Sequence, residues 1–282
     1  MKIIERILTF RRTIQPWRTK GKSIGFVPTM GDLHEGHRSL LRKSKLENDL
    51  TVLSIFVNPL QFGPQEDFRK YPRDKKKDEM LAKKEKVDII FHPSEKEMYP
   101  ASYLTYVENP ALSQSLCGEF RPGHFKGVTT VVSKLLNIVT PDVLYLGQKD
   151  LQQAVVIQKM VADLNVPVKV KICPTVREKN GLALSSRNTY LTPQQKQEAA
   201  ILYQSLQQAR KLIQNGEHNP KVIVHTIKKM MQTTHISSID YIECVQAADL
   251  TSLNVLKGNV AIALAVWFGR TRLIDNIFVS VK

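Results

Sequence analysis

Two histidines, His34 and His37, stand three residues apart and form the first pair in the chain whose spacing suggests chemistry. Gly36 directly precedes the second histidine, and an apolar run at 23–27 precedes the pair. At this spacing the two imidazoles share one face of the first turn of a helix. Unpaired backbone N–H groups and the helix dipole favour an anion there. We therefore predict that the pair binds phosphate rather than a neutral ligand.

Two other interpretations of the histidine pair stay open on these residues alone. The rings could be partly buried caps of the helix. They could also bind a metal ion, although His-x-x-His lacks the i, i+4 spacing of a zinc protease helix and has no cysteine beside it.

Two further segments carry groups suited to phosphate. Lys149 follows a predicted strand and comes two residues after Gly147, and a lysine in such a place binds phosphate as a point charge. Ser185, Ser186 and Arg187 follow a glycine-containing loop. Two hydroxyls and a guanidinium suit a flap over a triphosphate, and the alternative is a helix-capping linker between domains.

Uncharged amides form a third group of candidates, which comprises Asn58, Gln61 and Gln153. Beside the apolar Met30 and Phe62, such amides could hydrogen-bond a small hydroxy acid. They would do so without competing with its carboxylate for charge.

The elements that position these groups are predicted from apolar runs and helical periodicity. Strands are predicted over 23–27 (ending at Pro28), 51–57, 87–91, 143–146 and 168–172, and helices over 37–48, 74–86, 125–139 and 150–164. Strands that alternate with helices indicate an α/β fold, here a Rossmann-like parallel sheet with helices on both faces. Ligands bind such sheets outside the carboxyl ends of the strands, where the candidate polar residues lie.

The chain changes character after residue 188. Thr192 and Pro193 are typical of a helix start, and this helix is predicted to run to 215–216. A second helix is predicted from Pro220 to 232, with strands over 239–245, 260–267 and 273–281. The sequence therefore predicts a Rossmann-like domain over 1–182 and a smaller α+β domain over 183–282.

Composition sets broad limits on partners and location. The net charge of +15 is compatible with nucleic acid or with small polyanionic substrates. The lysines at 75–77 and 83–86 are predicted to form a solvated helix face opposite Met80, Leu81 and Val87. The longest apolar run has nine residues, about half a membrane span. Three widely spaced cysteines favour free thiols in the cytoplasm.

Together these motifs resemble the pantothenate synthetase (pantoate–β-alanine ligase) family of the HxGH nucleotidyltransferase superfamily. The matching segments are VPTMGDLHEGH at 27–37, SIFVNPLQF at 54–62, YPR at 71–73, RPGHFKGV at 121–128, GQKDLQQ at 147–153, PTVRE at 174–178, GLALSSRN at 181–188 and RLIDN at 272–276. They span nearly the whole chain in the order of the family. Gln148 stands where the family commonly has Glu, and the acidic cluster after YPR is reduced to Asp74 and Asp78.

The resemblance implies a reaction and its participants. ATP activates pantoate as pantoyl adenylate with release of pyrophosphate, and β-alanine then displaces AMP to give pantothenate, on the route to coenzyme A. Magnesium would accompany ATP, with no metal ligand assigned to the protein. The resemblance also implies a homodimer, no nucleic acid or membrane partner, and a C-terminal domain that acts as a lid.

The resemblance assigns roles to individual residues. His37, His34 and Lys149 are implied as catalytic. The residues implied to contact ATP are Met30, Gly31, Asp32, Leu33, His34, Glu35, Gly36, His37, Gly147, Gln148, Lys149, Asp150, Val176, Leu184, Ser185, Ser186 and Arg187. Gln61 and Gln153 are implied to bind pantoate, with Asn58 assigned to the same site and Gln61 also touching β-alanine.

Two rival functions belong to other classes. One is a different cytidylyl- or adenylyltransferase of the same superfamily. The other is a nucleic-acid-binding module, which the charge suggests but which lacks aromatic RNA-binding motifs and a concentrated basic stripe.

Overall fold

The computed structural model describes residues 1–64 and 66–281 and contains two β-sheets. The first sheet is entirely parallel, with six strands in the order β1-β4-β3-β2-β5-β6. Its strands are β1 Lys2–Ile4, β2 Ile24–Thr29, β3 Leu50–Ile55, β4 Ile89–Phe91, β5 Val143–Gly147 and β6 Lys169–Cys173. The second is an antiparallel sheet of β7 Ser238–Gln246, β8 Gly258–Phe268 and β9 Thr271–Val281.

Helices alternate with the strands of the parallel sheet and precede the antiparallel one. They are α1 Ile7–Thr19, α2 Glu35–Glu47, α3 Lys75–Lys84, α4 Glu95–Met98, α5 Pro110–Ser113, α6 Cys117–Phe120, α7 His124–Val139, α8 Leu151–Asp163, α9 Pro193–Glu198, α10 Ile201–Gln214 and α11 Pro220–Met231. Short 3-10 turns cover Pro59–Gln61, Asp67–Arg69, Gln148–Asp150 and Ser186–Tyr190. The predicted α/β fold with a smaller α+β C-terminal part is confirmed.

The chain forms two compact units. Unit 1 comprises 1–113, 121–147 and 156–173, and unit 2 comprises 114–120, 148–155 and 174–282. The expected boundary between 182 and 183 was drawn on sequence character alone. Unit 2 also includes three segments that lie before that boundary, and one of them carries Lys149.

Each unit has its own apolar core. In unit 1 the central strands and α2 bury Val27, Leu41, Leu53 and Ile90. In unit 2 the antiparallel sheet packs against α10 and α11, and the side chains that meet there include Leu206, Ile227, Leu264 and Ile277. Alternating apolar residues on one face of a sheet and one stripe of a helix account for both cores.

Four local predictions were wrong. The three-residue β1 was missed, because Lys2 and Ile3 are exposed and leave no apolar run. Strand β2 continues through Pro28 to Thr29. Proline fits there because β5 pairs with β2 at Gly25 and Phe26, before the position where Pro28 would have to donate to it.

The other two errors concern helices. The single helix predicted over 193–215 is two, since Ala200 and Leu202 donate to carbonyls only three residues back and so end α9 before α10 begins. Met80 was assigned to the apolar side of α3 but is 63% exposed. The exposure predicted for the lysines of α3 is confirmed. Among the described residues, no helix combines the length and the apolar character that a membrane crossing requires.

Candidate active site

The histidines lie in the turn between β2 and α2, which we call the histidine turn (residues 30–37). Gly31 has φ +87° and Asp32 has φ +47°, both in the left-handed region. The Thr29 hydroxyl accepts from Gly31 N–H at 3.2 Å and donates to the carbonyl of Ser54 on β3 at 2.8 Å. These bonds hold the start of the turn against the edge of the sheet.

A buried carboxylate from α3 holds the middle of the histidine turn. Asp78 is 1% exposed, and its oxygens accept from the backbone N–H groups of Asp32 at 2.9 Å and Leu33 at 2.7 Å. Burial raises the pKa of the Asp78 carboxyl, while these two hydrogen bonds oppose the rise by favouring the ionised form. Lys77 adds an ion pair with the Asp32 side chain at 2.8 Å.

The two histidines cap α2 reciprocally. His34 is the N-cap residue, and its Nδ1 accepts from the Gly36 N–H at 3.1 Å. The Nδ1 of His37 accepts in turn from the His34 N–H at 3.3 Å. The ring centroids are 4.0 Å apart with an interplanar angle of 33°. The capping interpretation and the phosphate interpretation are therefore compatible, because the cap is made by Nδ1 of each ring whereas a phosphate would be bound by Nε2.

These hydrogen bonds determine which ring nitrogen carries the proton. A neutral imidazole that accepts at Nδ1 must carry its hydrogen on Nε2. His34 and His37 therefore both present an Nε2–H donor at the positive end of a 13-residue helix. Two such donors suit oxygens of an anion.

Gly36 is required by the packing of the His34 ring. A Cβ at residue 36 would lie 2.9 Å from both Nδ1 and Cε1 of that ring. Any larger residue would therefore push the ring out of its capping position. This contact gives the glycine of the His-x-Gly-His pattern a steric reason.

Gln61 and Asn58 lie in the loop after β3, also in unit 1. The Gln61 Nε2 donates to the sulfur of Met30 at 3.1 Å, and its Oε1 accepts from Asn58 Nδ2 at 3.1 Å. Asn58 is 1% exposed, and it also donates to Gly127 O at 3.0 Å and accepts from the Tyr99 hydroxyl at 2.8 Å. Asn58 thus fixes the orientation of the Gln61 amide.

Helix α7 supports the same loop from behind. A Cβ at Gly127 would lie 2.2 Å from the Leu60 carbonyl oxygen, so only glycine permits this approach. His124 Nδ1 lies 2.8 Å from the Gln61 carbonyl oxygen, and Arg121 donates to Glu66 at 2.8 Å. The RPGHFKGV segment therefore serves packing and positioning of the Gln61 loop.

Lys149 lies in the 3-10 turn at 148–150 of unit 2, which we call the lysine turn. Its side chain is 20% exposed, and its Nζ is 3.4 Å from Asp150 Oδ1. The backbone of this turn is bound by Asn276 of β9, whose Nδ2 donates to the carbonyls of Gln148 at 3.0 Å and Lys149 at 2.9 Å.

Ser185, Ser186 and Arg187 follow a hairpin in unit 2. Arg177 and Ala183 form an isolated antiparallel bridge, and Leu184 N–H donates to the Val176 carbonyl at 3.0 Å. The Ser185 hydroxyl accepts from the Arg187 N–H at 3.3 Å and caps the 3-10 turn that follows. Ser185 thus caps a short 3-10 turn, as the capping alternative expects, and the segment follows a hydrogen-bonded hairpin. A flap over a triphosphate stays a prediction.

Comparison with known proteins identifies the relatives of the chain. A family model described as pantoate-beta-alanine ligase matches residues 2–278. The chain belongs to the pantoate–β-alanine ligase family. It is 53% identical to a pantothenate synthetase from Acetivibrio thermocellus over 281 residues, with 100% of both chains covered. It is 52% identical to one from Thermotoga petrophila over 276 residues, covering 98% of this chain and 99% of that protein.

Solved structures of this family share the fold. A pantothenate synthetase from Thermus thermophilus superposes with a TM-score of 0.92 at 39% identity, covering 98% of this chain and 99% of that one. A pantoate–β-alanine ligase from Francisella tularensis, solved in complex with beta-gamma ATP and β-alanine, gives 0.79 at 38% identity, covering 98% and 97%. Membership of the ligase family decides against the nucleic-acid-binding class.

The remaining residues assigned from the family pattern are distributed over both units. Met30 to His37 form the histidine turn in unit 1. Gly147 ends β5, while Gln153, Val176 and Leu184 are half-buried in unit 2 and Asp150 is exposed. Glu35 forms an ion pair with Arg38 at 2.8 Å on the first turn of α2.

Sequence reasoning missed the residues that support the candidate side chains. Asp78 was counted in a reduced acidic cluster, and its neighbour Asp74 is the N-cap of α3, accepting from Lys77 N–H at 3.0 Å. The sequence offers Asn276 only as part of the RLIDN segment and gives no sign of the role of Tyr99. The RLIDN motif itself was the one available signal, because a polar Asp-Asn pair inside an apolar strand requires buried partners.

Proposed function

We propose that this chain condenses pantoate with β-alanine at the expense of ATP, through pantoyl adenylate, to give pantothenate, AMP and pyrophosphate. The observation that supports the chemistry best is the reciprocal histidine cap, which orients both rings at the N-terminus of α2 with the ring hydrogen of each on Nε2. Family membership along residues 2–278 supports the choice of substrates.

The first step is an in-line displacement at the α-phosphorus of ATP. A carboxylate oxygen of pantoate forms the new P–O bond, and the bond to the pyrophosphate oxygen breaks. Negative charge develops on the phosphoryl oxygens and on the leaving group. Donors that are already oriented before the reaction stabilise that charge without reorganisation. We assign this role to the Nε2–H groups of His34 and His37.

The proposed reaction also uses cationic and hydroxyl groups of unit 2. We assign Lys149 to the phosphates as a point charge, with Ser185, Ser186 and Arg187 on the pyrophosphate side. Asp150 and Val176 are assigned to the nucleoside, and Gly147 at the end of β5, Gln148 and Leu184 are kept as further ATP contacts. A lysine that is 20% exposed is partly desolvated, which strengthens its interaction with an anion.

The amide of Gln61 is the proposed ligand of pantoate in unit 1. Because Asn58 and Met30 already contact that amide, its orientation is set before substrate arrives. We place Asn58 behind Gln61 as a positioning residue and keep Gln153 as a second pantoate ligand. In the second step the β-alanine amine attacks the acyl carbon, the bond to AMP breaks, and a proton is lost from nitrogen. This step needs little acid–base assistance because the acyl adenylate is already activated.

Magnesium is proposed to enter with ATP. Within 1–64 and 66–281, no group of three or more His, Cys, Asp or Glu side chains could hold a metal ion. Mg²⁺ suits this site nonetheless, because it is bound mainly by substrate phosphates and water with one or two carboxylates. When bound, it neutralises phosphate charge. A homodimer and a cytoplasmic location remain predictions, and three free cysteines support the second of them.

The proposed function is tested by isotope exchange. Labelled pyrophosphate should enter ATP only when the protein, Mg²⁺ and pantoate are present, because the adenylation step is reversible. Cytidine triphosphate in place of ATP serves as a control for the rival cytidylyltransferase activity. Absence of exchange at saturating pantoate would contradict the ligase assignment.

A further inference from the structure

The residues Asp275 and Asn276 in the middle of β9 are both 2% exposed, although both are polar. Successive side chains of a strand point to opposite faces, so neighbours can bind two different segments. Buried polar groups require hydrogen-bond partners. Both residues find theirs within unit 2.

Asn276 binds the lysine turn on both sides of Lys149. Its Nδ2 donates to the carbonyl that precedes the Lys149 Cα, that of Gln148, and to the carbonyl that follows it, that of Lys149 itself. The Asn276 Oδ1 lies 3.3 Å from Gln148 Nε2. When the peptide planes on both sides of the Lys149 Cα are held in place, the φ and ψ angles of Lys149 are fixed. Asn276 therefore sets the direction in which the Lys149 side chain leaves the backbone.

Asp275 binds the hairpin that leads to Ser185 and Arg187. Its carboxylate accepts from the Arg177 guanidinium in a bidentate pair, at 2.5 Å and 2.8 Å. Arg177 also donates to the Gly181 carbonyl at 3.1 Å, which closes the hairpin. The guanidinium lies 3.7 Å from the centre of the Tyr203 ring on α10. Bidentate pairing and stacking together leave Arg177 with one orientation.

We propose that Asp275 and Asn276 are a positioning pair, which fixes the lysine turn and the hairpin that leads to Ser185 and Arg187 relative to each other. The proposal rests on the proposed function insofar as Lys149 and Arg187 bind phosphate. Neither member of the pair touches substrate. Their effect on the reaction passes through the backbone of the segments that they hold.

Hydrogen exchange followed by mass spectrometry tests the pair on the full chain without ligand. Asn276→Ala should speed amide exchange about 10-fold in peptides covering 148–152, because two hydrogen bonds are lost. Asp275→Asn should do the same in peptides covering 177–187. The matched control is Asp240→Asn, which weakens a largely buried ion pair with Arg272 in the same sheet. It should leave both peptides unchanged.

A double-mutant cycle tests whether the effect of Asn276 on the reaction passes through Lys149. Asn276→Ala should lower pantoate-dependent pyrophosphate exchange about 10- to 100-fold when Lys149 is present, since small displacements of a positioned group reduce rates strongly. In a Lys149→Ala background the same change should alter the rate less than about 2-fold. If Asn276→Ala fails to fold, Asn276→Asp gives the same comparison, because it keeps the size of the side chain and removes the donors.

The two experiments separate the two claims. Unchanged hydrogen exchange in both peptides, or losses that multiply in the double mutant, would overturn the positioning pair while wild-type activity stands. A wild-type chain without pyrophosphate exchange would overturn the proposed function, and the hydrogen-exchange arm would still decide whether the pair holds the two segments.

Discussion

The histidine turn and the lysine turn both place a side chain that we assign to phosphate directly after a strand of the parallel sheet, yet they are built differently. The histidine turn largely stabilises itself, since His34 and His37 cap α2 within four residues. The lysine turn is held from β9 by Asn276, which is 127 residues from Lys149 in the chain. Local capping leaves a motif in the sequence of the turn itself, whereas support from a distant strand leaves no sign in the turn that it holds.

Both turns nevertheless depend on one buried side chain from elsewhere. Asp78 offers carboxylate oxygens to two N–H groups of the histidine turn, and Asn276 offers amide hydrogens to two carbonyls of the lysine turn. Whether the supporting side chain is a carboxylate or an amide follows from the backbone groups that each turn leaves to be paired. A carboxylate supports donors, and an amide nitrogen supports acceptors.

The largest effect is expected from His37→Ala. It removes an Nε2–H donor and one half of the reciprocal cap, so the adenylation rate should fall by about 10²- to 10³-fold with the fold intact. Pyrophosphate exchange and circular dichroism measure the two quantities. The exposed His225 on α11 supplies the control, since His225→Ala should change neither. A near-wild-type rate for His37→Ala would contradict the assignment.

Asp78→Asn should have the next largest effect. The substitution keeps the shape but points an amide group at one of two N–H donors, so the turn loses a charged hydrogen-bond acceptor. We expect a loss of about 1.5–3 kcal/mol in the free energy of unfolding. The midpoint of urea denaturation and the rate of pyrophosphate exchange should both fall.

Asp74→Ala is the matched control for that change. It removes the cap of α3 and should cost about 1 kcal/mol of stability with little change in the exchange rate. If both variants lost activity equally, the support from Asp78 would not be specific to the histidine turn.

Gly36→Ala should separate activity from stability. Alanine stabilises a helix by about 1 kcal/mol relative to glycine. This gain opposes the cost of moving the His34 ring, so the loss of thermal stability should be no larger than that cost. The added Cβ displaces the His34 ring, which lies 2.9 Å away, and should lower the exchange rate about 10-fold or more. Melting temperature and exchange rate measured on the same preparation check this. Unchanged activity would show that the ring position is not critical.

Gly147→Ala should have the smallest effect on the protein itself. Apart from Gly147 itself and its two neighbours in the chain, no heavy atom of the described residues lies within 4 Å of the Cβ that it would add, so the free energy of unfolding should change by less than about 0.5 kcal/mol. ATP affinity should fall if the nucleotide approaches this glycine as proposed, and isothermal titration calorimetry measures it. Equal ATP affinity for both proteins would remove Gly147 from the site.

Several features were predicted correctly because their causes are local. The strand at 143–146, the helix at 125–139 and the Thr192 cap each depend on residues within one short segment. The break between α9 and α10 was missed because no proline or glycine marks it. Gln61 is a candidate by residue type alone, whereas the role of Asn58 in orienting it required the positions of Tyr99 and Gly127.

The sequence by itself determined the alternation of strands and helices, the histidine pair at the start of α2 and the family to which the chain belongs. Only the tertiary structure decided that Asp78 holds the histidine turn and that Asp275 and Asn276 bind two separate segments. The physical reason is that these side chains bind backbone groups or a charge far away in the chain. Every residue but proline has the same N–H and C=O groups, so a segment held by its backbone carries no sign of the residue that holds it.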